Sequence, residues 1–564
     1  MNNASTLIQR IQRGVTGQYF PIRTPFGERP LVYADYTASG RSLDFIERAI
    51  REQVLPYYAN THTEASLTGA QTTQLREAAR TQVRHAINAG PDDAVIFCGS
   101  GATAAINRLV DLLNLRPSQA EKVSSEARHE LSPAQRPVVF VGPYEHHSNE
   151  LPWRESKAEV VRIPTDAGGS IDASALESAL ETYRDRPLRI GSFSAASNVT
   201  GIRSDVAGIT GLLKVHGALA FWDYAAAGPY VGIDMNPGTH NMDAIFLSPH
   251  KFIGGPGTPG ILAVKSTLLR NRVPAVVGGG TVSYVTADHH RFIDAPERRE
   301  EGGTPAIVES IRAGLVFRLQ QAVGTETIEA IEHRRILTAL DRLSAVPGID
   351  ILGGTDAARL SILSFRLLHG ERELHYGFVI ALLNDLFGIQ ARGGCSCAGP
   401  YGHLLLGLDP ARSRELEKRS AEQGHGALRP GWVRLNFNYF ISENEFNYLL
   451  EAICVIARDG WRLLPHYVLD TDTGLWRYHG QSPDLPVNFE SIDFLDESPE
   501  SDRRAAPEPA FDTLIAEASR ILAHPGATPV QHSVDEEGRG IDPDDPLRWF
   551  SIAEDIPAAS TETA

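Results

Sequence analysis

Between residues 94 and 265, short β-rich runs alternate with stretches of helical pattern, and this alternation limits the fold more than any other feature of the chain. The β-rich runs are DAVIF, RPVVFVG, LRIGSF, ALAFWD, DAIFLS and GILAVK. Strands that alternate with helices predict an α/β fold, in which helices cover both faces of a parallel sheet. Catalytic groups of such sheets tend to lie at the carboxyl ends of the strands, so we expect a functional site there.

From about residue 305 to 460 the pattern changes. Helical stretches at 305–343, 373–387 and 443–459 surround two strand-like runs, RLSILSFRL and WVRLNFNYF, which predicts a second, smaller α+β domain. Beyond 465 the pattern weakens. The run DESPESDRRAAPEPAFD and the acidic, Pro-rich end at 534–564 are typical of a linker or tail, and the polar segment 116–136 is typical of an exposed connection.

The chain has 564 residues, which is more than one hydrophobic core usually serves. We therefore expect four parts: an N-terminal segment (1–30), a large domain (31–304), a small α+β domain (305–465), and an extension with a partly irregular acidic tail (466–564).

Charge and composition argue against several kinds of partner. The net charge of −17 disfavours general binding to nucleic acid or to a membrane surface, since both need cationic protein surface. No apolar run approaches the length of a membrane span, and the first residues lack the apolar region of a secretory signal. The four cysteines are scattered and do not form a disulfide framework. We expect a reduced, cytoplasmic protein with free thiols.

The segment DAIFLSPHKFIGGPGTPG carries the strongest local signal. A lysine at a strand end, Lys251, beside His250 and a glycine-rich loop, is placed to lose its hydration, which lowers its pKa and makes its amine nucleophilic. For a lysine alone, an ordinary surface position is the better explanation. The glycines at 255, 257 and 260 form G-x-G-x-x-G, but a strand follows them where a dinucleotide site needs a helix, so we reject that site.

Three further motifs bring Lys251 into a pattern. Asp223 ends the strand-like run ALAFWD, and a carboxylate there could keep the ring nitrogen of pyridoxal phosphate protonated. Gly99 to Thr103 lead from a strand into a helix, which is typical of a phosphate-binding helix N-terminus. His146, the first histidine of EHHSNELPW, could lie over a planar cofactor. Each motif has an alternative explanation. Asp223 could be a helix cap or a solvent-facing acid, and Gly99 to Thr103 could be a plain glycine turn. The two histidines could bind a metal, but the side chains of adjacent residues diverge, which disfavours a metal site.

The order of these motifs, followed by SNVTG and a late R-x-G-x-x-C, resembles the class V aminotransferase-like enzymes, and most closely their cysteine desulfurase and selenocysteine lyase branch. The resemblance extends from about residue 31 to 460. It implies a PLP-dependent transferase fold of type I (aspartate aminotransferase-like), with a mainly parallel seven-stranded sheet in the large, cofactor-binding domain and a smaller α+β domain. It also implies pyridoxal 5'-phosphate as cofactor and a homodimer.

The resemblance assigns cofactor-binding roles residue by residue. Lys251 would hold the cofactor covalently, Asp223 would hold its pyridine nitrogen, and His146 would stack on its ring. The remaining cofactor positions contact the phosphate or the phenolic oxygen: Ala102, Thr103, Asn198, Ser248 and His250. Thr304, in REEGGTP, would reach the phosphate of the neighbouring subunit.

The resemblance also assigns the substrate side. Arg434 would bind the substrate carboxylate, for which a guanidinium fork is suited, with Arg392 and Asn198 nearby. Cys397 matches the catalytic cysteine, whose thiolate takes sulfur from L-cysteine as a persulfide and leaves alanine. A protein could then accept the sulfur. Lys251 would move the α-proton, and no metal is implied.

Three departures from the family pattern keep the reaction open. Ala226 stands where desulfurases usually have a glutamine, YADYTASG replaces the usual D-N-A-A-T, and Cys395 stands where close relatives have histidine. A PLP-dependent C–S lyase, a selenocysteine lyase, an aminotransferase on another amino acid and a non-catalytic binding protein of the same fold are the alternatives. An R-x-G-C-x-C pattern is similar to that of the molybdenum-cofactor sulfurases, but the region beyond 465 does not resemble their extra domain.

Cys395 and Cys397 allow four explanations. Cys397 could form the persulfide with Cys395 as helper or relay, both could bind a metal with His403, they could form a regulatory disulfide, or they could be inert. One histidine and two cysteines this close make a poor tetrahedral set, and a disulfide is strained at this spacing and disfavoured in a reducing cytosol. The pyridoxal motifs favour the first explanation.

Overall fold

The computed structural model describes residues 2–61, 63–117, 132–422, 424–481, 485, 487–492, 506–526 and 541–556. Parts of the predicted connection (118–131) and of the predicted tail (496–505, 534–540 and 557–564) lie outside these residues. The chain forms two compact units, each discontinuous in sequence. Unit 1 comprises Met1–Gly14, Tyr36–His333 and Asp356–Leu360, and unit 2 comprises Val15–Asp35, Arg334–Thr355 and Ser361–Ala564. The domain limits inferred from the sequence stay a prediction.

Strands are numbered in chain order. They are β1 (Pro21–Thr24), β2 (Gly27–Pro30), β3 (Val32–Tyr33), β4 (Asp93–Cys98), β5 (Val138–Val141), β6 (Glu159–Arg162), β7 (Arg189–Ser194), β8 (Leu219–Asp223), β9 (Ala244–Leu247), β10 (Gly260–Lys265), β11 (Val282–Val285), β12 (His290–Phe292), β13 (Ile349–Ile351), β14 (Ile362–His369), β15 (Arg372–Leu374), β16 (Ile389–Gln390), β17 (Arg392–Gly394), β18 (Trp432–Asn436), β19 (Tyr467–Asp470) and β20 (Leu475–Tyr478).

The α-helices are named by their bounds. They are Asn2–Gly14, Asp44–Ala49, Leu67–Ala86, Gly101–Leu112, Leu151–Arg154, Ala173–Thr182, Val206–Val215, Pro296–Arg299, Ile307–Val323, Thr325–Ser344, Tyr376–Phe387, Gly399–Leu405, Pro410–Glu417, Glu443–Asp459 and Phe511–Ala523. Within the described part of the chain, no helix has both the length and the hydropathy needed to cross a membrane.

A seven-stranded sheet in the order β4-β10-β9-β8-β7-β5-β6 forms the centre of unit 1. Strands β9, β8, β7, β5 and β6 pair in parallel, whereas β10 runs antiparallel to both β4 and β9. Every residue of β4, β5 and β9 is buried, as expected for strands covered on both faces. The predicted α/β fold with a mainly parallel sheet is confirmed.

Strand β10 follows the glycine loop and lies directly beside the start of the helix Gly101–Leu112. Gly260 N donates a hydrogen bond to Gly99 O at 2.9 Å. A Cβ atom on Gly260 would lie 1.9 Å from the Gly101 carbonyl oxygen, so a side chain there would separate the two segments. The glycine-rich segment therefore serves close backbone packing, and the rejection of a dinucleotide site is consistent with this geometry.

Strand β4 lies at the edge of the sheet, and two carboxylates bind its outward-facing N–H groups. Val95 N donates to Glu297 Oε1 and Phe97 N donates to Glu301 Oε1, each at 2.7 Å. Glu301 also accepts from Arg76 at 2.6 Å and from Arg80 at 2.8 Å. Burial acts to raise the pKa of Glu301, but its bonds to Arg80 and the charges of both arginines lower that pKa overall.

Unit 2 contains a sheet in the order β13-β14-β18-β17, with β15 also paired to β14. The helical stretch predicted at 305–343 is helical almost throughout, as Ile307–Val323 and Thr325–Ser344. The two helices are separated at Gly324, whose φ of 89° no L-residue adopts easily. Strand β14 and the helices Tyr376–Phe387 and Glu443–Asp459 lie where the sequence predicted a strand and helices.

The extension beyond 465 holds more structure than its sequence suggests. Strands β19 and β20 pair as an antiparallel hairpin, and the helix Phe511–Ala523 places Phe511 against Tyr448, with ring centroids 4.4 Å apart. Phe550 and Ile552 are also buried. Aromatic and aliphatic side chains spaced along an otherwise polar segment thus help to fix it within unit 2.

Replacing Glu301 by alanine is expected to lower the free energy of unfolding by about 3–5 kcal/mol, because it leaves Arg76 and Arg80 buried without their carboxylate. Glu77→Ala is the matched control: Glu77 pairs with the same two arginines, but its side chain is 41% exposed, so the loss should stay under about 1 kcal/mol. Urea unfolding measures the free energy of unfolding of both variants. An equal decrease in the two would show that the buried Glu301 carboxylate contributes no more to stability than the exposed Glu77 carboxylate.

Candidate active site

The segment Ser248–Lys251 and the predicted phosphate-binding helix N-terminus meet in unit 1. Ala102 N, in the first turn of the helix Gly101–Leu112, donates a hydrogen bond to Ser248 Oγ at 2.9 Å. Gly101 has φ +55°, and a Cβ atom on it would lie 2.9 Å from Ser248 Oγ and 3.1 Å from His250 Cε1. The helix N-terminus, the hydroxyl and the imidazole thus surround one small space that a side chain would fill.

This arrangement fits the phosphate end of pyridoxal phosphate. A helix N-terminus offers N–H groups and a positive dipole end to an anion, and the Ser248 hydroxyl is the group already bonded there. His250 is held from its backbone side, where Gly40 N donates to His250 O at 2.8 Å. Burial and the neighbouring charge of Lys251 lower the pKa of His250 to about 4, so its imidazole is neutral at pH 7.

Asp223 lies at the carboxyl end of β8 and is 4% exposed. Burial raises the pKa of its carboxyl group, while the Ala225 N–H and the charge of Lys251 act in the opposite direction. Ala225 N donates to Asp223 Oδ1 at 2.8 Å. The burial of Asp223 contradicts the explanation that it is a solvent-facing acid. Its carboxylate is also close enough to Lys251 for the two charges to interact.

His146 is connected to the same helix N-terminus through a residue that the sequence analysis did not single out. Ser148 N donates to His146 Nδ1 at 3.1 Å, which leaves that nitrogen without a proton. Ser148 Oγ lies 3.0 Å from His146 Nδ1 and 2.6 Å from Thr103 Oγ1. Ser148 therefore orients the histidine ring, and its place directly after the EHH run is the only sequence signal for it.

Glu145, the first residue of the EHH run, is a second group that the sequence analysis missed. Its carboxyl group accepts hydrogen bonds from Asn149 Nδ2 at 2.7 Å, from Ser194 N at 2.9 Å and from Ser194 Oγ at 2.6 Å. Burial raises its pKa to about 7 against the effect of these bonds, and the charge of Asp223 adds to the rise. Glu145 fixes the loop that carries His146 to strand β7.

The other predicted cofactor residues occupy varied environments. Asn198 is buried in the loop after β7, and Ala226 is buried with only a methyl group as its side chain. Thr304 Oγ1 accepts from Asn60 Nδ2 at 3.3 Å at an exposed position. A contact of Thr304 with a neighbouring subunit stays a prediction.

Unit 2 holds the two arginines expected to bind substrate, and it holds them together. Arg392 and Arg434 are directly opposite on strands β17 and β18. Arg392 Nε and Arg434 Nη2 each donate to a different oxygen of Asp35, both at 3.0 Å. The Arg434 side chain is 3% exposed and that of Arg392 49%. Asp35 belongs to YADYTASG, the motif that differs from the family pattern. Its two arginine partners lie more than 350 residues away in the sequence, so the local sequence could not predict these ion pairs.

The cysteine pair occupies a tight turn directly after β17. Both cysteines are exposed and neither forms a disulfide. Ala398 N donates to Cys395 O at 3.1 Å, and Ser396 and Cys397 have φ of 53° and 55°. Left-handed backbone costs a residue with a side chain about 1–2 kcal/mol, so this turn presents the Cys397 thiol at a conformational cost. Among the described residues, no group of three or more His, Cys, Asp or Glu could hold a metal ion.

The family model for the class V aminotransferases matches residues 32–409, which include Lys251, Asp223, His146 and Cys397. The chain belongs to this family, whose members are pyridoxal-phosphate-dependent enzymes. The match ends before the residues of the extension, so β19, β20 and the C-terminal helix lie outside it.

Named relatives are similar over most of the same region. A probable cysteine desulfurase from Halalkalibacterium halodurans is 28% identical over 384 residues, which cover 67% of this chain and 86% of the relative. A cysteine desulfurase from Synechococcus elongatus is 29% identical and covers 66% of this chain and 55% of the relative.

Solved structures show the same fold at lower identity. The apo structure of a cysteine desulfurase from Thermococcus onnurineus has a TM-score of 0.62 and 24% identity, covering 76% of this chain and 95% of its own. The cysteine desulfurase CsdA from Escherichia coli has a TM-score of 0.58 and 23% identity, covering 75% of this chain and 93% of its own. The predicted type I fold is confirmed.

Gly101→Ala is expected to lower the free energy of unfolding by about 1–2 kcal/mol, because alanine resists the positive φ and its methyl group would press on Ser248. Gly99→Ala is the matched control in the same turn, since a Cβ there meets only the Ala104 methyl group at 3.7 Å, and its cost should stay under about 0.5 kcal/mol. Urea unfolding curves compare the two, and a larger loss in Gly99→Ala would contradict this assignment.

Proposed function

We propose that the protein is a pyridoxal-phosphate-dependent cysteine desulfurase, which forms a persulfide on Cys397 and releases alanine from L-cysteine. The observation that best supports pyridoxal phosphate as the cofactor is the hydrogen bond from Ala102 N to Ser248 Oγ. This bond brings the segment that contains Lys251 against a helix N-terminus, which is suited to bind an anion. The relatives named cysteine desulfurase support the reaction.

Pyridoxal phosphate, when bound, supplies an electron sink for the substrate's reacting carbon. The Ser248 hydroxyl, His250 and the N–H groups at Ala102 and Thr103 would hold its phosphate. The buried Asp223 carboxylate would hold a proton on its ring nitrogen, because a cation beside it relieves the cost of its burial. His146 would lie against the ring, and Asn198 near the phenolic oxygen.

The remaining steps belong to side chains of this chain. Arg434 would bind the carboxylate of L-cysteine, with Arg392 beside it, and Asp35 keeps the two guanidinium groups in place. Lys251 would take the proton from the substrate α-carbon. The Cys397 thiolate would then attack the substrate sulfur, forming an S–S bond as the C–S bond breaks. The electron pair stays with the substrate carbon, which takes up a proton to give alanine.

Two partners belong to this proposal. The persulfide sulfur on the exposed Cys397 would pass to a protein acceptor, since an exposed thiol can reach a second protein. Thr304, at an exposed position, would contact the cofactor phosphate of a second copy in a homodimer.

A second candidate keeps the cofactor and changes the reaction. Ala226 offers no hydrogen-bond donor at a buried position where desulfurases usually have a glutamine, and this favours β-elimination by a C–S lyase, selenocysteine cleavage, or transamination of another amino acid. Pyruvate with ammonia as products would identify elimination, and consumption of an oxo acid would identify transamination.

Cys397→Ala is expected to reduce alanine release from L-cysteine by about two orders of magnitude or more, because no thiolate remains to take the sulfur. Cys395→Ala is the matched control in the same turn and should retain most of the turnover. Amino-acid analysis of the products, with alkylation of the persulfide and mass spectrometry, measures both. Unchanged alanine release from Cys397→Ala would refute the persulfide route.

Lys251→Ala is expected to lack the visible absorption band that the wild-type protein should show after reconstitution with pyridoxal phosphate, because the amine that binds the cofactor covalently is gone. Lys265→Ala, a lysine at the far end of β10, is the control and should keep the band. A wild-type protein without the band would support a binding protein that has lost the cofactor.

A further inference from the structure

The segment 541–556 lies outside the matched family region and forms an extra strand-like contact on unit 2. Glu373, in β15, pairs in parallel with Phe550. Glu373 N donates to Trp549 O at 3.3 Å, and Ser551 N donates to Glu373 O at 2.8 Å. Arg419 and Asp545 form an ion pair at 2.6 Å. The segment is therefore held along its length by backbone bonds and charge.

The aromatic side chains of this segment enclose a buried histidine. The rings of Trp549 and Phe550 lie 5.2 Å and 4.7 Å from the ring of His375. Trp549 Nε1 donates to Leu428 O at 3.1 Å, and Trp476 Nε1 donates to His375 Nδ1 at 3.1 Å. Trp549 is thus fixed in position by a hydrogen bond as well as by packing.

Tyr376, which follows His375 in the sequence, lies between Trp549 and the strand that precedes the cysteine turn. The rings of Tyr376 and Trp549 are nearly parallel, at 17°, with centroids 6.0 Å apart. On Gly393 a Cβ would lie 2.7 Å from Tyr376 Cδ2, and on Gly431 it would lie 2.7 Å from Tyr376 Cε1. The tyrosine ring is packed directly on the backbone of β17 and of the residue before β18, so a side chain at either position would displace the ring.

Tyr376 also lies within electrostatic reach of the cysteine turn. Burial raises the pKa of its hydroxyl to about 12, and the charge of Cys395 adds to the rise. Gly393, on which the Tyr376 ring packs, lies only two residues before Cys395 in the sequence. The Tyr376 ring therefore contacts the strand that leads directly into the turn presenting Cys397.

We propose that Trp549 is a positioning residue, through which the segment 541–556 fixes the strained cysteine turn by way of the Tyr376 ring. The catalytic part of this inference rests on the desulfurase function proposed above. In that reaction the segment 541–556 holds the turn in the conformation from which the Cys397 thiol attacks the substrate sulfur. Loss of the contact between the segment and Tyr376 slows persulfide formation without weakening substrate binding.

The test compares Trp549→Ala with Trp549→Phe and with Phe489→Ala, an extension residue that is 86% exposed. Amide hydrogen exchange of residues 392–398 should be about tenfold faster in Trp549→Ala, because local opening becomes easier. Trp549→Phe keeps a ring against Tyr376 and should restore most of the protection, and Phe489→Ala should behave as wild type.

A second readout follows alanine formation from L-cysteine. Trp549→Ala should lower kcat about tenfold while KM stays within about twofold, because the loss lies in the sulfur-transfer step. Unchanged exchange at 392–398, or exchange that rises equally throughout unit 2, would overturn the positioning role. A wild-type protein that forms no alanine would refute the desulfurase function, and the exchange result would still decide whether Trp549 fixes the turn.

Discussion

The close approach of Gly260 to the Gly101 carbonyl is the contact on which the predicted cofactor site of unit 1 depends. Strand β10 lies between β4 and β9 and runs antiparallel to both. The carboxyl ends of β4 and β9 therefore lie at the same end of the sheet, where the helix that follows β4 meets the loop that follows β9. A side chain at 260 would part them. The same helix start binds the segment that carries Lys251, through the hydrogen bond from Ala102 N to Ser248 Oγ.

Much of this arrangement could be predicted from local sequence. The strand-like runs identified between 93 and 265 all correspond to strands of the sheet, because each is short, apolar and bounded by turn residues. Motifs with a fixed spacing, such as Ser248 to Lys251, could be recognised because their chemistry is confined to one loop. The helical stretch predicted at 305–343 forms two helices, because the positive φ of Gly324 interrupts a helical periodicity that continues on both sides.

The contacts that escaped prediction join residues far apart in the chain. Asp35 binds Arg392 and Arg434 across more than 350 positions, and Trp549 packs on Tyr376 across more than 170. Glu145 and Ser148 are close to a recognised motif, but their partners lie on other elements. No periodicity records such pairings, because they depend on tertiary packing. The extension was underestimated for the same reason: its few apolar residues are sparse in sequence and adjacent in space.

The bonded edge of β4 has a consequence for how copies of this protein can meet. Glu297, Glu301 and Arg80 occupy the outward-facing groups of Val95 and Phe97, so no strand of another molecule can pair there and extend the sheet. The pKa of Glu301 is lowered, which keeps its carboxylate ionised into mildly acidic solution. The bond from Phe97 N to Glu301 thus persists at pH values where many surface carboxylates have lost their charge.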